Sequence, residues 1–452
     1  MTFHAPIFAL LFSASACAAF AQEPESAAVR RITLQEVVDL ALANNHAVRL
    51  AKLSVEEKER VKEIAKSAYF PLVRNDTMVI HVTDTQLIEI PVGGLAVVGN
   101  QPVPAQRLII NQGGLNTVSN GTGVVQPLTQ LFRVRAANDV ARADVEAARG
   151  KARSVEDTTA LMVRQVYYRI LLADVRRRAA LAKIQASEDL QRERVQQVRY
   201  GSALDADNIE SRAHVLQARQ DLLTTELQRA DLQMQLNDAI GLPLTTSLLL
   251  DPNVSPISGP SERCERDACV REARDSHPGI AEARAQVEKA ASAVRLAKYD
   301  FIPDVEAFAR YTFHNNSAFF ADRFGTIGIR ASVDLFDGGR KRAVLGERET
   351  QLAQAKENLA RISDEVELRV QTAYNKIERT RQMVAVAEEL LALRTESRRV
   401  AAELLVHGGT LGSQAKESTA QELDAQAALL QSQLDYVQAA DEMDAAIGRR
   451  PQ

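Results

Sequence analysis

The chain has no tryptophan, and aromatic residues make up only 5% of it. Ordinary compact cores use bulkier side chains than this, whereas closely packed long helices can use alanine, which is abundant here. No charge dominates: 452 residues carry a formal net charge of -4 with both signs mixed. That excludes the basic surface a nucleic-acid partner needs. After the first 21 residues no apolar run reaches about 18, so no transmembrane helix is expected. A chain of this kind crosses a membrane only as strands. Catalytic patterns are missing too. His46, His81, His214, His277, His314 and His407 are scattered, with neither HExxH nor a paired metal spacing. The glycines of "VGGLAVVG" have no lysine beside them and no strand-to-helix context, so they read as loop. Neither an enzyme nor a cofactor or metal site is expected.

The N-terminus is apolar and small from Pro6 to Phe20, and Ala19–Phe20–Ala21 fits a small-x-small cleavage signal. Residues 1–21 therefore read as a signal peptide, although no Lys or Arg precedes the apolar stretch. Ala14, three before Cys17, is too small for a lipid-attachment site. Cys264 and Cys269 remain after cleavage. In an oxidising compartment they either pair across a short loop or stay as two thiols. With no His near them, a metal site is not supported.

What is present is helix. From Val134 to Arg199 there is no proline and one glycine, Gly150, and good helix formers dominate. At 1.5 Å per residue this makes a rod of roughly 100 Å. A break at "VRYGSALDAD" leads to a second helix ending at Ile240. There Ile209, Leu216 and Leu223 recur every seven, and Leu227 and Met234 keep the spacing one stripe over, which is coiled-coil patterning. The hairpin then repeats. "LFDGGRKRAV" opens a helix to Val406, "VHGGTLGS" breaks it, and another helix runs to Ile447. Gly201 stands against Gly408 and Gly241 against Gly448, an offset of 207 at both places.

The opening is duplicated as well. Thr33 caps a short helix to Leu42, with Glu36 completing a capping box. A second helix runs from about Ala47 to Ser67, and Pro71 ends it. "AKSAYFP" and "AKYDFIP" match at an offset of 232, and His277–Pro278 is set against His46–Ala47. Between these helices and each hairpin lies a non-helical insert. In the second, Asp304, Glu306, Phe308, Arg310 and Thr312 alternate with Val305, Ala307, Ala309, Tyr311 and Phe313. Thr326 to Leu335 alternates in the same way. Two strands of about ten residues, one face polar and one apolar, carry the pattern of a membrane β-barrel. A soluble sheet alternates likewise. Tyr311, Phe313, Phe319, Phe320 and Phe324 gather at one end as an aromatic girdle would. The first insert is 28 residues longer by the same offsets and reads as a long outer loop with short strand extensions.

The expected division is a signal peptide (1–21), a first repeat (22–242), a linker (243–260), a second repeat (261–448) and a tail (449–452). Strands fall at about 72–83, 122–131, 304–313 and 324–335, and long hairpins at 133–240 and 340–447. The fold class is mainly α with a membrane β-barrel. Four strands cannot close a barrel, and an open edge is forbidden in hydrocarbon. Three copies give twelve strands, whereas two give eight, whose lumen fills with side chains.

The paired "AKSAYFP"/"AKYDFIP", the "SVDLFDGGRKRAV" strand-to-helix entry, "GSALDADNIESRAHVLQARQDL" and "NDAIGLP" together resemble the TolC-like outer membrane efflux proteins. The likeness covers nearly the whole mature chain. It implies a homotrimer with a twelve-stranded barrel in the outer membrane and a helical barrel across the periplasm. It also implies work with a periplasmic adaptor and an inner-membrane pump in efflux or type I secretion, in contact with outer-membrane lipid. The glycine and aspartate of the hairpin turn map onto Gly201 and Asp207. In the second half Gly408 maps, but Gln414 stands where aspartate is expected. Candidate entrance residues are Gly201, Asp205, Asp207, His407, Gly408 and Gly409, although Asp205 and Asp207 read first as helix caps. Candidate barrel-lumen residues are Glu306, Arg310, Arg330 and Asp334. The competing reading keeps the hairpins and makes the chain a soluble periplasmic scaffold without a pore.

Overall fold

The computed structural model describes residues 30–84, 87–111, 115–252, 265–315 and 321–449. The expected signal peptide, Cys264, Phe319, Phe320 and most of the tail lie outside the described residues. β1 (Arg30–Ile32) leads into α1 (Leu34–Asn44) and α2 (His46–Ser67). β2 (Leu72–His81) rises into a finger of short strands: β3 (Leu87–Ile90), β4 (Ala96–Val98), β5 (Gln101–Val103) and β6 (Leu108–Asn111). The chain returns as β7 (Asn116–Pro127), then builds the long hairpin α3 (Leu131–Arg199) and α4 (Asp205–Ile240), followed by β8 (Leu248–Leu250). The second repeat is α5 (Arg266–Ser276), α6 (Pro278–Tyr299), β9 (Asp304–His314), β10 (Arg323–Ser332), α7 (Arg340–Val406) and α8 (Gly412–Ile447).

Several bounds differ from the sequence reading. The strand expected at 122–131 is Asn116–Pro127, because the chain leaves the ladder at Leu128. Thr129 then holds the corner: its Oγ1 donates to Pro303 O at 2.7 Å and accepts from Val305 N at 2.8 Å. The strand expected to reach 335 ends at Ser332. Beyond it, Asp337 accepts from the backbone N–H groups of Gly339 and Lys341 and starts α7. The linker is not wholly irregular. β8 pairs in parallel with β1, which ties the end of the first repeat to its beginning. Three-residue strands are too short for a periodicity to reveal. The capping box at Thr33 and Glu36 is present, with Glu36 N donating to Thr33 Oγ1 and Thr33 N to Glu36 Oε2.

The helices form a row. α3 packs against α2 and α4 on one side and against α6 and α8 on the other, and α7 follows α6 and α8. The helices α4 and α2, of 36 and 22 residues, together approach the 69 residues of α3. α8 and α6, also 36 and 22, do the same between α3 and α7. The junctions are built from turn residues. Asn44 and Asn45 donate their amides to Ile240 O and Ala239 O, both at 3.2 Å. Those carbonyls are among the last of α4 and lack partners within the helix. In the second repeat Ser276 Oγ does this for Ile447 O at 2.7 Å. Gly241 ends α4 at φ +73 with no room for a side chain, since a Cβ there would sit 2.8 Å from Asn44 Cβ.

Two apolar clusters lie at these junctions, one per repeat. One surrounds Tyr167, Leu236 and Ile240, and the other Cys269, Val370 and Ile447. The Tyr167 hydroxyl donates to Asp251 O at 2.8 Å, and burial pushes its pKa up to about 12. Cys269 is fully buried and disulfide-bonded.

α5 and α6 repeat α1 and α2 with a displacement of 232 at every end. His277 therefore stands opposite Asn45, not opposite His46 as motif matching suggested. Asn45 Oδ1 caps α2 by accepting from Ala47 N at 2.9 Å, and His277 Nδ1 caps α6 by accepting from Gly279 N at 3.1 Å. The second repeat has thus replaced an inert cap with a titratable one. Burial is the first cause that lowers the His277 pKa below its usual 6.5, and Arg369 lowers it further, against Glu365. The cavity beside it is also lined by Asp157 of α3, Arg369 of α7 and Glu442 of α8, the last paired with Lys376 at 2.7 Å. A protonated ring cannot accept from Gly279. The cap is intact above pH 6.5 and is lost as pH falls through the depressed folded value, because the unfolded chain then binds the proton more readily. His277→Asn is expected to remove that acid-side loss, a cap being worth about 1 kcal/mol. Thermal melts at pH 7.5 and 5.0 check it, and an unchanged difference between the two melts in the variant would count against the cap as its source.

Candidate functional site

Four strands form one antiparallel sheet in the order β10–β9–β7–β2, leaving β10 and β2 as open edges. Directly opposed residues share a face. One face carries Glu306 opposite Arg330 and Arg310 opposite Gly123. Arg330 donates to Glu306 Oε1 at 2.9 Å, and its guanidinium lies 5.3 Å from the Phe308 ring centre. Arg310 stretches towards Asp76, 3.9 Å away, and Asp76 also pairs with Arg74 at 2.8 Å. Room for Arg310 comes from Gly121, where a Cβ would lie 2.7 Å from the guanidinium. Asp334 lies beyond the end of β10 and pairs with Lys341 at 3.3 Å. Three of the four expected lumen residues thus share one face, and the fourth sits at its base.

The opposite face presents Val305, Ala307, Ala309, Ile327 and Ile329, the last two 87% and 73% exposed. Sequence reading missed a polar group on this same face. Asn75 Nδ2 donates to Thr122 Oγ1 at 2.7 Å, and Asn120 Nδ2 donates to Thr77 Oγ1 at 2.5 Å. Asn120 Nδ2 also donates to Asn75 Oδ1 at 3.2 Å. The ladder satisfies itself, so it can face hydrocarbon without the cost of unpaired amides. The alternation of Val73, Asn75, Thr77 and Val79 was its only sequence signal.

The hairpin turns lie at the far end of the rods. Gly201 and Gly408 adopt φ +74 and +68, which a side chain would strain. Asp207 reaches back to accept from Leu204 N at 2.9 Å. Asp205 stands in the first turn of α4, where a carboxylate complements the helix dipole. Gln414 takes the place of Asp207 in the second turn, with Leu411 N at 3.5 Å and Thr410 Oγ1 at 2.5 Å. His407 is the C-cap of α7, and Gly409 follows against Leu404. Two further residues join the tips. Glu193 of α3 accepts from Ser413 N at 2.8 Å, and Asp189 pairs with Lys416 of α8. A separation of 220 residues leaves no local sequence signal for such ties.

Among the described residues, no group of three or more His, Cys, Asp or Glu is arranged to hold a metal ion. None of the helices is long and apolar enough to cross a membrane, again among the described residues. What remains is a rod of paired helices with a two-faced sheet at one end. That combination is a helical body carrying one small antiparallel sheet with two open edges. The model of the family described as outer membrane efflux protein matches residues 37–242 and 269–449, and the chain belongs to that family.

Solved structures agree on the fold. The CmeC outer membrane channel of Campylobacter jejuni superposes with a TM-score of 0.74 at 14% identity, over 92% of this chain and 85% of that one. The outer membrane protein VceC of Vibrio cholerae gives 0.73 at 14%, over 93% and 97%. The MtrE outer membrane channel of Neisseria gonorrhoeae, in its open state, gives 0.69 at 15%, over 93% and 89%. No curated protein matches the chain by sequence. The chain is thus an efflux protein of the outer membrane. The soluble-scaffold reading is thereby set aside.

Proposed function

We propose that three copies join their sheets edge to edge into a closed twelve-stranded barrel, with the helices continuing as a tube across the periplasm. Substrates delivered by an inner-membrane pump through a periplasmic adaptor pass along it without chemical change. The observation that carries this is a pair of unpartnered heptad stripes. In α4, Ile209, Leu216, Leu223 and Leu227 are 59 to 70% exposed, although their spacing is that of a coiled-coil seam. In α7, Met383, Leu390 and Leu404 lie on one sevenfold series, interrupted by Ser397, and Val386, Leu393 and Val400 form another, and all six apolar residues are exposed. α4 and α7 end the row on opposite sides, just as β2 and β10 end the sheet. Every unfinished edge of the chain thus has a complementary one on a rotated copy.

In this assembly Glu306, Arg310, Arg330 and Asp334 face the barrel lumen, and Ile327 and Ile329 face lipid. Gly201, Asp205, Asp207, His407, Gly408 and Gly409 ring the periplasmic entrance, where Asp205 and Asp207 supply acidic groups from the first turn and the second turn supplies none. The protein extracted in detergent is expected to have the mass of three chains and to give stepwise conductance in planar bilayers. A chain that is monomeric and soluble without detergent would overturn the proposal.

A further inference from the structure

The finger at the outer end of β2 and β7 is not used by the conduit just described. It leaves the sheet on the side away from the helices, since α2 runs into β2 and β7 runs into α3 at the other end. β3 pairs with β6 and, nested within that pair, β4 with β5, so residues 87–111 make one finger of two stacked ladders. Only two charges occur in this stretch, and they neutralise each other as the Arg107–Glu89 ion pair. Apart from Asn100, Gln101, Gln106 and Asn111 the rest carries no polar side chain, yet it is open to water: Leu95, Val97 and Val98 are each about two-thirds exposed, and Leu87, Val92 and Ile109 about half. Ile88, Ile90, Leu108 and Ile110 line a face of the β3–β6 hairpin without a single polar side chain. A lone external loop of this composition is an unsatisfied surface.

We infer that the three fingers of an assembled channel meet one another by these apolar surfaces above the barrel axis and close its external mouth. The inference rests on the trimer proposed above. The finger is rooted on β2, the strand whose free edge a sister chain must pair, so each finger stands at a subunit boundary. Its neutrality lets three copies gather without charge repulsion. Its reach suffices. Twelve strands about 4.8 Å apart, tilted about 40°, enclose a radius of about 12 Å. The seven strand residues on each side of the finger extend about 23 Å at 3.3 Å per residue. The occupant of the apolar face is thus a second and a third copy of the same segment.

Single cysteines at Leu95 and Val98 test this in outer-membrane vesicles. Cys269 is already engaged in a disulfide. Under mild oxidation both Leu95→Cys and Val98→Cys are expected to give disulfide-linked dimers on non-reducing gels. Replacing residues 87–111 with a short Gly-Ser link is expected to raise single-channel conductance several-fold. Trimers that show no cross-link at either position, or no rise in conductance, overturn the lid and leave the channel reading standing; the same residues would then face lipid or the medium. A chain that forms no trimer overturns both.

Discussion

Asp441→Ala is expected to destabilise the helical body by about 3–5 kcal/mol, the cost of leaving a buried charge without its partner. Arg164 of α3 and Asp441 of α8 are 2–3% exposed, and they bond in a bidentate fork, Nε to Oδ2 at 2.8 Å and Nη2 to Oδ1 at 3.0 Å. The Tyr168 hydroxyl donates to the same Oδ2 at 3.1 Å. Desolvation is the leading cause that raises the Asp441 pKa, and the Arg164 bonds oppose it. The pair crosses from the first repeat to the second, so it fixes the register of α3 against α8. Ala at 441 leaves the buried guanidinium without its carboxylate, with only the Tyr168 hydroxyl beside it. Arg164→Met with Asp441→Leu is expected to recover most of the loss, because a well-packed apolar pair avoids desolvating two charges. Apparent melting temperatures followed by helical circular dichroism check both. An Asp441→Ala protein that melts with the parent would remove the pair from the account of how the repeats are held together.

This pair also shows what a linear reading reaches and what it does not. Arg164 and Asp441 are 277 residues apart, each a charge within a long, charge-rich helix, where solvent is the default neighbour. The repeat relation gives no help, because the position of α4 matching Asp441 is Met234, on an edge of the row. By contrast, the duplication, both hairpins and the alternation of β9 and β10 were legible, since each follows from a period within one element. Strand ends shifted by several residues because tertiary bonds such as those of Thr129 decide where a ladder stops. The likeness of His277–Pro278 to His46–Ala47 misled by one residue, since helix ends and not residue identity fix the register. That Glu306, Arg310 and Arg330 share one face of the sheet follows from alternation alone. The ladder of Asn75, Thr77, Asn120 and Thr122 was missed because it is split between strands 45 residues apart.

Leu223→Glu combined with Leu227→Glu is expected to convert the proposed trimer into monomers. The heptad in α4 was visible in the sequence, yet its partner is not α3: the residues α4 buries near its ends are Ser211, Val215, Ala218, Leu236, Ala239 and Ile240. Leu223 and Leu227 stand 66% and 63% exposed on the other side, so within one chain the double change meets mostly water and should cost little. In the assembly it acts at all three boundaries. Burying a leucine contributes about 1.5–3 kcal/mol, so six of them contribute on the order of 9–18 kcal/mol, before the cost of six desolvated carboxylates is added. Leu393→Glu in α7 should act from the opposite edge with a smaller effect, and Leu223→Glu with Leu393→Lys should restore part of the loss by pairing charges across the seam. Mass measurement in detergent distinguishes the outcomes. A double variant that still runs as three chains, with unaltered melting, would mean that the exposed stripes are not the seam and that the sheet edges alone hold the assembly.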